Sequence, residues 1–124
     1  MSEHALPLVD VELLVRLREL EAGDTSGVLA RMVRQYLSSI PPQLERMREL
    51  LLTGQAGSLA YEAHGLAGSS AMYGLPRLRQ HSKELEACAK SQRLERARQL
   101  LAELERTLAE ARPLLLAELS IPEE

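Results

Sequence analysis

Leu94, Ala97, Leu101, Leu104, Leu108, Ala111 and Leu115 recur at steps of three and four, which is one unbroken helical stripe. Leu29, Val33, Tyr36, Ile40, Leu44, Met47 and Leu51 keep the same rhythm, and they hold phase across Pro41-Pro42. Two helices joined at random would lose that phase. The pattern therefore predicts one long helix over about residues 25 to 53, kinked near Ile40, although a proline fully inside a helix costs about 3 kcal/mol or more. A true break at the prolines is the alternative. Strands alternate with a period of two and favour β-branched and aromatic side chains. This chain of 124 residues has no Trp, no Phe and 3 Tyr, so its core is built from Leu, Ala, Val and Met, as in a helical bundle.

The remaining elements follow from caps and breakers. Residues 1–9 read as a flexible N-terminal arm. Asp10 is placed to cap a short helix from Val11 to about Glu21, with Val11, Leu14 and Leu17 on its apolar face and Leu13 and Leu20 beside them. Gly23-Asp24-Thr25 then breaks that helix and offers the next cap. After the turn at Thr53-Gly54, Ser58 is a candidate cap for a helix ending near Tyr73, with Gly74 closing it in a left-handed conformation. Pro76 suits a first turn, and the helix it opens runs to about Lys90, burying Leu75, Leu78, Ser82, Leu85 and Ala89. Ser91 is the candidate cap of the last helix, which Pro113 bends near its end. Short connections make neighbouring helices antiparallel. The predicted fold is all-α, an antiparallel four-helix bundle with an additional short N-terminal helix, in a single domain over residues 10–119.

Several function classes are excluded at this level. A net charge of -3 argues against a general nucleic-acid binder, which needs a basic face. The single cysteine, Cys88, cannot form an internal disulfide and reads as a packing residue in a reducing, cytoplasmic setting. No apolar run approaches the roughly 18 residues needed to span a bilayer. No glycine-rich phosphate loop is present, because Gly65 and Gly68 fall inside a helix.

The segment from Glu62 to Gly74 is the one that asks for a function. Leu59, Ala63, Leu66, Ser70 and Tyr73 share a buried stripe, and His64 lies about 160° away from it, toward solvent. Ser70 is thereby placed between helices. An interior glycine costs roughly 1 kcal/mol relative to alanine, and this helix carries Gly65 and Gly68. Access to the imidazole is the compensation that suggests itself. In an antiparallel hairpin centred near residue 75, positions whose numbers sum to about 150 lie side by side. His64 then faces Glu86, and Gly68 faces Ser82. Arg79, Lys83 and Lys90 share the face of Glu86. A carboxylate accepting from one ring nitrogen fixes the tautomer and leaves the other nitrogen free as a nucleophile. A lone exposed histidine is otherwise an ordinary surface residue; His4 and His81 have no partner legible in the sequence.

His64-x-Leu66-x-Gly68-Ser69-Ser70 followed by Gly74, with Leu78 and Leu85-Glu86 downstream, resembles the signature of histidine-containing phosphotransfer (HPt) domains over roughly residues 24 to 118. The family's usual lysine after the leucine is Ala67 here. The resemblance implies a phosphocarrier of a two-component phosphorelay, without autokinase activity. His64 would accept the phosphoryl group, Glu86 would orient the ring through Nδ1, and Lys83 would supply the charge that Ala67 lacks. The implied partners are receiver domains of hybrid sensor kinases and response regulators, docking on Ala60, Tyr61, Gly68, Ala71, Met72 and Arg79, with the short N-terminal helix adding to that face. The chain would act as a monomer with no cofactor of its own, the Mg2+ coming from the receiver.

Two other classes fit less well. A di-iron bundle needs Glu-x-x-His on two helices, and neither His64 nor His81 has a glutamate three residues before it. An HPt-like adaptor that binds receivers without phosphotransfer is the alternative that Ala67 leaves open.

Overall fold

A helix needs its first amides and last carbonyls met, and those ends decide where this chain turns. The structure is a computed structural model that describes residues 6–123. Asp10 caps α1 (Val11–Leu20), its Oδ1 accepting from the Leu13 amide at 3.2 Å. Helix α2 (Val28–Leu52) starts later than the sequence suggests, because Asp24 turns its carboxylate on Ser26 instead of capping a helix. Glu21, at the end of α1, serves α2 instead: its Oε2 accepts from the Leu29 amide at 2.9 Å. The helix then runs through Pro41 and Pro42 without a break, both prolines lying on its exposed side.

Helix α3 (Ala56–Met72) and helix α4 (Pro76–Lys90) form the central hairpin. Neither Ser58 nor Ser91 is the N-cap expected of it; Ser58 lies inside α3, and Ser91 is the C-cap of α4, with Gln55 and Arg93 at the two helix starts. Helix α5 (Leu94–Glu118) follows, continuous through Pro113. Helix α2 packs against α3 and α5, and α4 packs against the same two, which makes the four-helix bundle; α1 closes one end against α5. Among the described residues there is no strand.

The core largely follows the stripes that the spacing implies, with Leu37, Leu100 and Leu116 buried beside them and Leu29, Leu51, Leu94 and Leu108 only partly buried. Leu14, Val33, Ile40, Met47, Leu59, Leu66, Leu78, Leu85, Leu100, Leu104 and Leu115 are fully enclosed. On α1 the expectation is only half met: Leu14 is buried and Leu17 partly so, whereas Val11 and Leu20 face solvent. A short helix lying across the end of a bundle covers only a narrow arc of its surface. The arm also differs from expectation where it is described. Leu8 and Val9 pack on the core, Arg77 Nε donates to the Leu6 carbonyl at 2.7 Å, and the Asp10 amide donates to the Gly74 carbonyl at 2.9 Å. The expected flexibility of residues 1–5, and His4 with them, lies outside the described residues.

The α3–α4 turn is the tightest joint. Gly74 adopts φ +70, and the Leu75 amide reaches back to the Ser70 carbonyl at 2.9 Å, closing the left-handed helix end expected there. A Cβ on Gly74 would stand 3.1 Å from Leu14 Cδ2. Both the backbone and the packing of α1 therefore require glycine. Replacing Gly74 by Ala is expected to lower stability by about 1 to 2 kcal/mol from the left-handed conformation alone, read as a lower urea midpoint; an unchanged midpoint contradicts this account of the turn.

Candidate functional site

The hairpin register brings His64 of α3 against Glu86 of α4. Nδ1 of His64 lies 3.2 Å from Oε2 and 3.3 Å from Oε1 of Glu86. The imidazole is 76% exposed and the carboxylate 15%, so the ring stands in solvent on a sheltered acceptor. Nε2 has no hydrogen-bond partner among the described residues. An acceptor-only carboxylate at Nδ1 selects the Nδ1–H tautomer and leaves the Nε2 lone pair outward.

A third group completes the arrangement. Lys90 Nζ lies 3.0 Å from Oε2 of Glu86, the nearer of the two oxygens that approach His64. That ammonium holds the Glu86 carboxyl below the ordinary glutamate range; partial shelter from water works the other way, and the hydrogen bond with His64 lowers it further. Since the folded value lies below the unfolded one, the pairing is intact above the ordinary glutamate range. It is lost only as pH falls through the depressed value, below the ordinary glutamate range. Lys83, the cation favoured from sequence, is exposed and forms no ion pair among the described residues. The contact of Lys90 was legible as a Glu–Lys pair at i,i+4 with the glutamate N-terminal, the favourable orientation.

Around His64 the surface is open. A Cβ added at Gly65 or Gly68 would meet nothing within 4 Å. Tyr61 and Met72 are 78% and 69% exposed, and Ala71 is exposed beside them. Arg79 lines a shallow depression with Asp10, Ala71, Gly74, Leu75 and Pro76, so the start of α1 reaches the edge of this face. Ala60 does not belong to it. It is 4% exposed, as is Ala67 at 5%, because α3 is packed on two sides, by α2 and by α4, and its buried arc is wider than one stripe. A lysine at position 67 would start from an enclosed Cβ.

The two serines after Gly68 face inward. Tyr36 Oη lies 3.3 Å from Ser70 Oγ and accepts from Ser69 Oγ at 3.5 Å, and its ring stacks on Tyr73 with centroids 4.2 Å apart. Burial pushes the Tyr36 hydroxyl up, and the two serine hydrogen bonds oppose that. These contacts tie α3 to α2 about a turn and a half beyond the histidine. Cys88 is buried, as a packing residue should be. His81 sits elsewhere, half-buried between α4 and α5, with Nδ1 3.8 Å from Glu84 and 3.7 Å from Glu103. No three ligating side chains are grouped as a metal site among the described residues.

The Hpt domain family model matches residues 31–113, more than half of the chain. The chain therefore belongs to the Hpt domain family, histidine phosphotransfer proteins of phosphorelay signalling, which are phosphocarriers rather than kinases and interact with receiver domains. Among solved structures it is similar to the histidine-containing phosphotransfer protein B (HptB) of Pseudomonas aeruginosa PAO1, with 27% identity over 94% of this chain and 97% of that one and a TM-score of 0.81. No curated protein matches the sequence.

The open space at Gly68 has a direct consequence. Gly68→Ala is expected to raise the stability of the fold by up to about 1 kcal/mol, the helix propensity difference; a lower urea midpoint would show that the fold itself needs this glycine.

Proposed function

We propose that His64 is the phosphoacceptor and that its Nε2 takes a phosphoryl group from the aspartyl phosphate of one receiver domain and delivers it to the aspartate of another. The observation that carries this reading is the hydrogen bond between Nδ1 and Glu86 on an otherwise open imidazole. In the forward step the Nε2 lone pair attacks phosphorus, the Nε2–P bond forms, and the P–O bond to the aspartate breaks, releasing a carboxylate. Nδ1 keeps its proton throughout, and the positive charge that develops on the ring faces Glu86. Such a displacement depends on positioning and charge stabilisation more than on covalent machinery.

The partner docks over Tyr61, Gly68, Ala71 and Met72, with Arg79 at the rim; small and apolar contacts lie at the centre and charge outside, as in a typical interface. The open glycines let a receiver loop approach the imidazole closely. Lys83, on the adjoining face and without an ion pair among the described residues, is assigned to the incoming phosphoryl oxygens. The chain has no autokinase activity of its own, brings no metal, and uses the Mg2+ of the receiver's acidic pocket. We further infer a monomer that works in the cytoplasm and does not bind nucleic acid. Among the described residues no helix is long and apolar enough to cross a membrane.

Transfer of labelled phosphate from a phosphorylated receiver tests this reading. Acid-labile, base-stable label is expected on the wild-type protein and none on His64→Gln; label that survives in His64→Gln, or no label from a panel of receivers, refutes it. Glu86→Ala is expected to slow transfer about tenfold, the scale of one hydrogen bond to a charged group. Lys83→Ala is expected to slow it about twofold to fivefold with the helical circular dichroism unchanged, in line with a single exposed charge contact. Unaltered kinetics in that variant remove Lys83 from the site.

A further inference from the structure

Nucleating a helix costs more than its first few hydrogen bonds return, so isolated helices shorter than about 12 residues are marginal in water. Helix α1 has ten residues and therefore depends on what it touches. It buries little. Leu14 is its one buried side chain, whereas α4, with fifteen residues, buries Leu78, Ser82, Leu85, Cys88 and Ala89. Val11 and Leu20, on the apolar side of α1, stay in solvent.

What α1 does touch is the ends of the other helices. At its C-terminal end, Glu21 Oε2 accepts from the Leu29 amide in the first turn of α2, whose own N-cap, Gly27, offers no side chain. Arg18 Nη1 donates to the carbonyl of Glu118, the last residue of α5, at 2.9 Å. At its N-terminal end, the Asp10 amide donates to the Gly74 carbonyl, and Leu14 with Leu13 closes over Gly74 itself. Just before the helix, the Leu6 carbonyl accepts from Arg77 in the first turn of α4. None of these bonds is part of the internal ladders of α2 to α5, so the bundle keeps its ladders when all of them are released. One buried leucine and a few bonds at helix ends and at a turn thus join α1 to the rest. A segment with few buried apolar contacts and exposed hydrogen bonds opens below the free energy of global unfolding.

We infer that α1 is a strap: it opens and unwinds as one unit while α2 to α5 stay folded, and when closed it stiffens the α3–α4 turn and with it the register that sets Glu86 against His64. On opening, Gly74 loses both Leu14 and the bond from Asp10, and the Leu75 amide on the Ser70 carbonyl is left to close the turn. Closure of the strap is therefore a control on the orientation of the imidazole that needs no contact with the ring. It does not depend on His64 accepting phosphate.

Native-state hydrogen exchange on the full chain tests this without any phosphoryl chemistry. The amides of Leu14 to Glu21 are expected to exchange together, protected but on the order of a hundredfold faster than the slowest amides of α3 and α5. Leu14→Ala adds a quantitative demand. The variant can do no more than release the strap, so its loss of global stability is expected to stop at or below the factor by which the α1 amides are protected in the wild type. Leu78→Ala, in the bundle core, has no such ceiling and is expected to lower the folding equilibrium by at least about thirtyfold, the scale of a buried leucine truncation. Nitrogen-15 shifts of the His64 ring are expected to move away from the Nδ1–H position in Leu14→Ala and to stay in place in Leu20→Ala, an exposed control on the same helix. Wild-type α1 amides that exchange as slowly as the slowest of α3 and α5, or that show no protection, overturn the inference. So does a Leu14→Ala loss beyond the ceiling, or an α1 that keeps its protection in that variant. Ring shifts that do not move while α1 is unprotected overturn the hold on the register.

Discussion

The register of the α3–α4 hairpin is the constraint on which the rest of the site depends. His64 and Glu86 are twenty-two positions apart in sequence, and only the tight reversal at Gly74 sets them side by side. One residue more or fewer in that turn would rotate α4 by about 100° and carry Glu86 away from the ring. The turn is held from both sides. Within the hairpin, the Leu75 amide returns to Ser70; from outside, the Asp10 amide and the Leu14 side chain close over Gly74. The short first helix thus stabilises the joint that positions the chemistry, although it carries none itself. About a turn and a half beyond the histidine, Tyr36 with Ser69 and Ser70 fixes α3 against α2, so the helix bearing His64 is held by α2 as well as by α4.

Stability and access are opposed along the outer face of α3. Gly65 and Gly68 weaken the helix, and nothing within the chain occupies the space they leave. In a helix whose inner face is otherwise well packed, two such positions next to an exposed imidazole make sense when a second macromolecule closes over them. Position 67 shows the same economy from the inner side. Alanine there is enclosed between neighbouring helices, and the positive charge near the ring comes from α4, where Lys90 reaches the site through Glu86.

Much of this was readable in the sequence, because helical bundles write their packing into a simple period. The long stripes of α2 and α5 located the core and showed that Pro41-Pro42 does not end α2. The count across Gly74 placed Glu86 beside His64. The starts of α1 at Asp10 and of α4 at Pro76 were legible, but those of α2, α3 and α5 were not, since caps depend on which side chain reaches a free amide in three dimensions. Glu21, eight residues before Leu29, caps α2 in place of Asp24. Ala60 was misjudged for a related reason. Small residues at the edge of a stripe are exposed or enclosed according to how many neighbours the helix has, and α3 has two. Three cations shared the face of Glu86 in sequence, and the one that touches it is Lys90, which has the favourable i,i+4 spacing.

The claim at the centre of this account is that the fold, before any partner arrives, already selects the nitrogen that will carry phosphate. Nitrogen-15 shifts of the His64 ring, recorded on the isolated protein at a pH where the imidazole is neutral, test that claim most directly. A proton on Nδ1, with Nε2 bare, is the result the geometry requires. A ring that carries its proton on Nε2 would contradict it, because the hydrogen bond to Glu86 would then not determine the chemistry of His64.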